Sequence, residues 1–347
     1  MLIPWRCRLS VAVFALFLPL APALAQAPQS LRYAGVNLAG AEFNSSRKPG
    51  VLHKDYTYPG ATDYAYYAAQ GMNTVRLPFL WERLQPQPYA ALDPQQLALL
   101  KAAVAHAKAQ GMQLVLDPHN YGRYYGKRIG GAETPVAVFA DLWRRLAAEF
   151  GDDDAVIFGL MNEPYGIDAK DWATAAQTGL NAIRATGAKN LVLVPGTAYS
   201  GAHSWNDLWY GGTSNGEALL AIADPADRIA FEAHQYLDQD YSGTSGECQS
   251  ERIGAQKLQA FTDWLRLHGK RGFLGEFGAG SGAVCLSALK QMLEHVEANA
   301  DVWLGWTYWA GGPWWNASYP FNVQPDRLGN GKPQMPVLSG MARRVTD

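Results

Sequence analysis

Phe158-Gly159-Leu160-Met161-Asn162-Glu163-Pro164 is an apolar run that stops at an amide, a carboxyl group and a turn-forming proline. Phe273-Leu274-Gly275-Glu276-Phe277-Gly278 has the same form, with glycines that allow close approach of backbone or ligand. Working outward, further strand-like runs are expected at 33–38, 73–78, 113–118, 190–195, 228–234 and 302–309, beside 156–162 and 272–276. Their starts recur about every 30 to 45 residues, room for one strand, one helix and their loops. Amphipathic helices are expected between them at 94–110, 139–150, 172–185, 255–268 and 286–298. In the first of these, Leu97, Leu100, Val104 and Ala107 recur at helical spacing, and helices are expected to stop at Gly71, Gly111, Gly151, Gly187 and Gly269.

Eight such units make either a doubly wound sheet or a closed barrel. The runs are rich in Val, Leu, Ile and aromatics, as strands buried on both faces must be. Their ends decide the matter. Asn37, Arg76, His119, Asn162 with Glu163, His234 with Tyr236, Glu276 and Trp309 all fall at the close of a run. Only a (β/α)₈ barrel collects the C-terminal ends of all its strands into one site. A dinucleotide fold would place G-x-G-x-x-G after the first strand, and Gly35 and Gly40 do not form it. The expected fold class is therefore α/β, a (β/α)₈ TIM barrel in a single domain over 26–347. No linker or low-complexity stretch divides it.

Residues 1–25 read differently. Arg6 and Arg8 precede an apolar run over 9–20, shorter than a membrane span, and Ala23-Leu24-Ala25 supplies a small-x-small cleavage site. A secretory signal peptide removed after Ala25 is expected, rather than an anchor, since Pro19 and Pro22 break the run. Its loss takes the formal charge from −2 to −4. That balance argues against nucleic acid or an anionic membrane as partner. The 347 residues, 48% hydrophobic and 17% charged, suit a globular protein with a large core, expected to act as a monomer. Cys7 leaves with the signal, so Cys248 and Cys285 remain. In an oxidising compartment an even pair suggests one disulfide, the alternative being two buried thiols.

Two carboxyls at one barrel mouth suit glycoside hydrolysis, which needs a proton donor for the leaving oxygen and a second carboxylate. Glu163 is the candidate acid/base, with Asn162 placed to bond a neighbouring hydroxyl, and Glu276 is the candidate nucleophile. A retaining mechanism requires the two carboxyls about 5–5.5 Å apart. Arg76 is expected to orient Glu276 and hold it ionised. His119 and His234 are expected to bind hydroxyls or tune the glutamates. Tyr236 shares strand parity with His234 and is placed to bond the nucleophile; Glu232, of the same parity, reads as a deeper structural acid. H-E-x-x-H and other metal-ligand spacings are absent, so neither metal nor other cofactor is expected. Flat indoles suit the apolar faces of pyranose rings. Trp309, Trp314, Trp205 and Trp209 are the subsite candidates, whereas Trp303 and Trp306 read as core.

These residues resemble family 5 of the glycoside hydrolases. The resemblance rests on Val75-Arg76-Leu77-Pro78, Asp117-Pro118-His119-Asn120-Tyr121, Asn162-Glu163-Pro164, His234-Gln235-Tyr236, Gly275-Glu276-Phe277 and Trp309, in the family's order. Asn120 joins the expected substrate-binding set through its motif. Leu38-Ala39-Gly40-Ala41-Glu42-Phe43, Ser242-Gly243-Thr244-Ser245, Gly311-Gly312-Pro313-Trp314-Trp315 and the placing of Cys248 and Cys285 look like the secreted endo-β-1,4-glucanase branch. The resemblance implies a cofactor-free retaining double displacement on β-glucan polysaccharide or oligosaccharide. Mannanases and xyloglucanases share the catalytic set, and a non-catalytic glucan-binding barrel is the reading from another class.

Overall fold

The computed structural model describes Met1 and residues 30–346; the expected signal peptide lies outside the described residues. Eight parallel strands close on themselves: β1 (Tyr33–Leu38), β2 (Thr74–Phe79), β3 (Gln113–Pro118), β4 (Val156–Gly159), β5 (Val192–Pro195), β6 (Ile229–His234), β7 (Gly272–Glu276) and β8 (Trp303–Gly311). Each strand pairs with its sequence neighbours, and β8 returns to β1 through Tyr33↔Gly305 and Val36↔Tyr308. Around the barrel lie α1 (Ala61–Ala69), α2 (Pro94–Ala109), α3 (Val136–Phe150), α4 (Ala169–Arg184), α5 (Asn215–Ala218), α6 (Ile253–Leu267), α7 (Ala283–Ala298) and α8 (Met335–Thr346), with a further single turn of helix at Trp81–Leu84. The fold is the expected (β/α)₈ barrel in one domain.

Local chemistry explains the boundaries. Asp93 accepts hydrogen bonds from the Gln95 and Gln96 amides at the start of α2, and Pro94 fills the first helical position, where its missing N–H costs nothing. Gly111 and Gly187, at φ 68° and 91°, end α2 and the segment after α4 in the left-handed region. Gly151 does not: it keeps right-handed geometry at φ −67°, and it is glycine because a Cβ would collide with the Ala147 carbonyl oxygen.

Several expected strands lose residues at an end, and at three of them the reason is visible. Asn73 lies before β2, where its Oδ1 accepts from the Ala34 amide and its Nδ2 donates to the Arg32 carbonyl. Asn190 lies before β5, and its Nδ2 donates to the carbonyls of Asp153 and Val156. Strand β4 ends at Gly159 rather than residue 162, since Glu163 takes φ 41° and the chain turns into the mouth. Helix α5 is a single short turn and α8 closes the chain; neither stood out as a helix in the sequence.

The main core lies between the barrel and its helices, with Trp81, Trp143, Trp172, Trp205, Trp303 and Trp306 fully buried. A second apolar cluster fills the barrel floor: Val115, Ile157, Leu191, Leu193, Ala230, Phe273 and Leu304. Cys248 and Cys285 form a disulfide, Cα atoms 5.3 Å apart, tying the loop after β6 to α7. Such a closed loop is worth about 4 kcal/mol in the chain-entropy picture. Among the described residues no helix is long and apolar enough to cross a membrane.

Candidate active site

The mouth is organised by one buried guanidinium. Arg76, near the middle of β2, is fully buried. Its Nη1 donates to Asn37 Oδ1 at 2.9 Å and sits 3.0 Å from Asp117 Oδ2, and its Nη2 donates to Asn162 Oδ1 at 2.9 Å. Its Nε lies 2.9 Å from Glu232 Oε1, an ion pair without the alignment of a hydrogen bond. Burial alone would lower the Arg76 pKa, but Asp117, Glu232 and Glu276 outweigh it and hold the cation. Arg76 thus ties the ends of β1, β3, β4, β6 and β7 together. A Cβ at Gly275 would collide with Glu232 Oε1, so glycine there makes room for this layer.

Glu276 closes β7. Tyr236 Oη donates to its Oε1 at 2.7 Å, and Arg76 Nη1 reaches its Oε2 at 3.5 Å. Burial and then the charge of Glu163 push the Glu276 carboxyl up. His234, Arg76 and His119 pull against them but the net shift is upward, so Arg76 orients Glu276 without bringing it below its ordinary range, contrary to the expectation from sequence. The donors aimed at it suit an ionised acceptor: burial keeps the Tyr236 hydroxyl protonated far above its usual range, so it can only donate here. Glu163 faces it from the end of β4. His234 Nδ1 lies 2.7 Å from Glu163 Oε1, and His234 Nε2 lies 3.3 Å from Glu232 Oε1. Burial opposes the His234 cation, but the bonds to Glu163 and Glu232 prevail and raise it to about 10. Ligand atoms of Glu163, His234 and Glu276 all lie within 4.8 Å of one another. A divalent cation could bridge that spacing only if His234 gave up a carboxylate, since both of its nitrogens already face one.

His119, after β3, is anchored by Asp117 Oδ2 at 2.8 Å and stacks on Trp309 with centroids 5.4 Å apart and planes 15° from parallel. Burial lowers its basicity, yet Asp117 carries the net shift upward. Behind Trp309 stands an aromatic wall. Its Nε1 donates to Tyr319 Oη at 3.0 Å, and Trp315 stacks on Tyr319 at 4.2 Å. Trp314 stands on the rim, 38% exposed. A cavity of about 450 Å³ opens beside Glu163, walled by His234, Tyr236, Tyr199, Trp209 and His203.

Two expected subsite residues are corrected. Trp205 is fully buried, packed edge-on against Phe261 at 4.5 Å, and reaches no cleft. Its loop position misled because the turn after β5 dives under α6. Asn120 is committed within the protein: its Oδ1 accepts from the Trp81 amide at 2.8 Å and its Nδ2 donates to Glu82 at 2.6 Å. It braces the loops after β2 and β3. Conversely, sequence reasoning gave no role to Tyr199, His203 or Tyr241. Each is a loop residue with no periodic signal, and His203 and Tyr241 meet, ring centroids 4.4 Å apart, only through the fold.

Paired glutamates, one just after β4 and one closing β7, the second bonded by a tyrosine and an arginine and the first by a histidine, are an arrangement that suits glycoside hydrolysis. The model of the family described as "Cellulase (glycosyl hydrolase family 5)" matches residues 34–312. The chain belongs to family 5 of the glycoside hydrolases. Among its family 5 relatives, endo-β-1,4-glucanase B of Emericella nidulans is 39% identical over 294 residues, 84% of this chain and 86% of that one. The structure of the endo-β-1,4-glucanase Xac0029 from Xanthomonas axonopodis pv. citri is 59% identical with a TM-score of 0.90, covering 91% of this chain and 100% of that one. The structure of XacCel5A in complex with cellopentaose is 60% identical with a TM-score of 0.89, covering 90% and 99%.

Proposed function

We propose that this family 5 enzyme is a retaining endo-β-1,4-glucanase in which Glu276 is the nucleophile and Glu163 the acid/base. The observation that carries the mechanism is the closeness of the pair, with one oxygen of Glu163 within 4.8 Å of one oxygen of Glu276. Retaining enzymes need about 5–5.5 Å between carboxyls, whereas inverting ones need about 6.5–9.5 Å to admit a water. Glu276 attacks the anomeric carbon as Glu163 gives its proton to the leaving oxygen. Glu163 then takes a proton from water, which attacks the same carbon and frees Glu276. His234 occupies Oε1 of Glu163 and leaves Oε2 for the leaving oxygen. Tyr236 and Arg76 fix Glu276 for attack. The His119–Trp309 stack forms the side wall of the reacting sugar's place. Trp314 and Trp209 extend the binding surface on either flank.

The polymer reading is supported by relatives named as endo-β-1,4-glucanases and by XacCel5A holding cellopentaose. Residues 1–25 are proposed to export the chain, and the Cys248–Cys285 disulfide suits an oxidising destination. Glu276→Gln is expected to lower turnover of cello-oligosaccharides more than about 1000-fold while calorimetry still detects binding. Near-wild-type turnover in that variant would sink the assignment. A reducing-sugar assay on carboxymethylcellulose, xyloglucan and mannan checks the polymer, and greater activity on mannan would overturn it.

A further inference from the structure

Asp238 lies two residues beyond Tyr236 on the loop after β6 and is buried. Its carboxyl group is the acceptor around which that loop folds. Oδ1 accepts from the Gly243 amide at 3.1 Å, and Oδ2 accepts from the amides of Thr244 and Ser245 at 3.0 and 3.1 Å. The Ser242 hydroxyl donates to Oδ2 at 3.2 Å. A short acidic side chain that gathers nearby amides in this way holds a turn where no helix or strand does so. The loop is closed behind it. The Gln249 amide donates to the Leu237 carbonyl at 3.0 Å, and Cys248 is bonded to Cys285 on α7. Gly243 stands at φ 70°, and a Cβ there would lie 2.7 Å from Tyr236 Cδ1 and Cε1. The backbone that Asp238 holds is therefore pressed against the very ring whose hydroxyl donates to Glu276 at 2.7 Å. Phe321 packs on the same ring, centroids 5.5 Å apart.

We propose that Asp238 is a positioning residue for the nucleophile: it fixes Gly243 against the Tyr236 ring and so aims the Tyr236 hydroxyl at Glu276. This inference rests on the retaining-glucanase reading above. Among the described residues the Asp238 carboxyl bonds to loop groups and to neither glutamate, so it acts through the ring. Glycine is needed at 243 because the left-handed φ and the ring contact both exclude a side chain. A carboxylate is needed at 238 because N–H donors converge on both of its oxygens. An asparagine has one carbonyl oxygen, and whichever way it points its NH₂ group faces an amide that also donates.

Kinetics on cellopentaose, in single and double variants, test this. Asp238→Asn is expected to lower kcat about tenfold with KM within about twofold, because a misaimed donor costs turnover rather than binding. In a Tyr236→Phe background, which already lacks the hydroxyl, the same change lowers kcat by less than about twofold. Gly243→Ala reaches the ring without altering the carboxyl. It follows the same pattern, and it decides the matter if Asp238→Asn does not fold. Wild-type kcat in Asp238→Asn or in Gly243→Ala would overturn the proposal. So would a full tenfold loss on top of Tyr236→Phe, which would mean that Asp238 acts by another route. A loss carried by KM alone would also overturn it, since the loop would then serve only as a wall of the cavity. If Glu276→Gln turned over cellopentaose at the wild-type rate, the underlying glucanase reading would fail instead.

Discussion

Two layers share the inside of this barrel, and they differ as much as two environments in one protein can. The floor is apolar, built from Val115, Ile157, Leu193, Ala230, Phe273 and Leu304. The layer above is ionic, built from Arg76, Asp117, Glu232 and His234. Strand parity connects them: Val115 and Asp117 share a face, as do Ala230, Glu232 and His234. A step of two residues, about 7 Å along a strand, takes the chain from a packed floor to a network of buried charges. The floor excludes water by volume. The ionic layer persists because every charge in it has an opposite partner, an arrangement costly to interrupt. Stability is shared between the layers, whereas the chemistry belongs to the upper one.

That division can be broken by experiment. The largest effect is expected from Arg76→Ala, which leaves Asp117 and Glu232 buried without the guanidinium between them and only His119 and His234 beside them. A loss of about 3–5 kcal/mol in unfolding free energy is expected, with activity falling to background. A folded, active Arg76→Ala enzyme would mean that the ionic layer is dispensable. Leu193→Ala in the floor is expected to cost about 2–4 kcal/mol through the cavity it leaves, while kcat of the folded enzyme stays within about twofold. A large fall in kcat would show that the floor reaches the chemistry after all.

A smaller effect tests the edge of the upper layer. Glu42 is buried near His119; its Oε2 accepts from the Gly40 amide at 2.8 Å and its Oε1 meets no donor in the protein. Burial pushes its carboxyl up to about 7, against the pull of His119. A carboxyl raised on folding keeps its proton longer in the native state, so its contribution is present below about pH 4.5 and is lost as pH rises through 7. Unfolding free energy should therefore fall across that window by about 3 kcal/mol at most, relative to Glu42→Gln. Parallel pH profiles for the two proteins would show that Glu42 titrates normally.

Much of the fold was legible because a barrel strand announces itself twice, by an apolar run and by the polar residue that ends it. Strands β1, β3 and β7 fall at the bounds expected from sequence. Asn73 and Asn190 blurred others, since a side chain that bonds across to another loop has no local signature. Trp205 and Asn120 show the limit at the site. A loop tryptophan and a motif asparagine look available until the fold shows their partners. Tyr199 is the converse, a residue without a pattern that the fold sets on the wall of the cavity beside Glu163 and stacks on Tyr165.

By itself the sequence determined the eightfold alternation and the identity of the residues at the strand ends, because both are local matters of period and polarity. Only the tertiary structure decided which of those residues meet. A register shift sets His234 opposite Glu276, and the closed barrel brings residues 86 and 200 positions from Arg76 to the same guanidinium. Separation of that kind is encoded in no short window. It follows from barrel closure, which makes neighbours of strand ends that the chain keeps far apart.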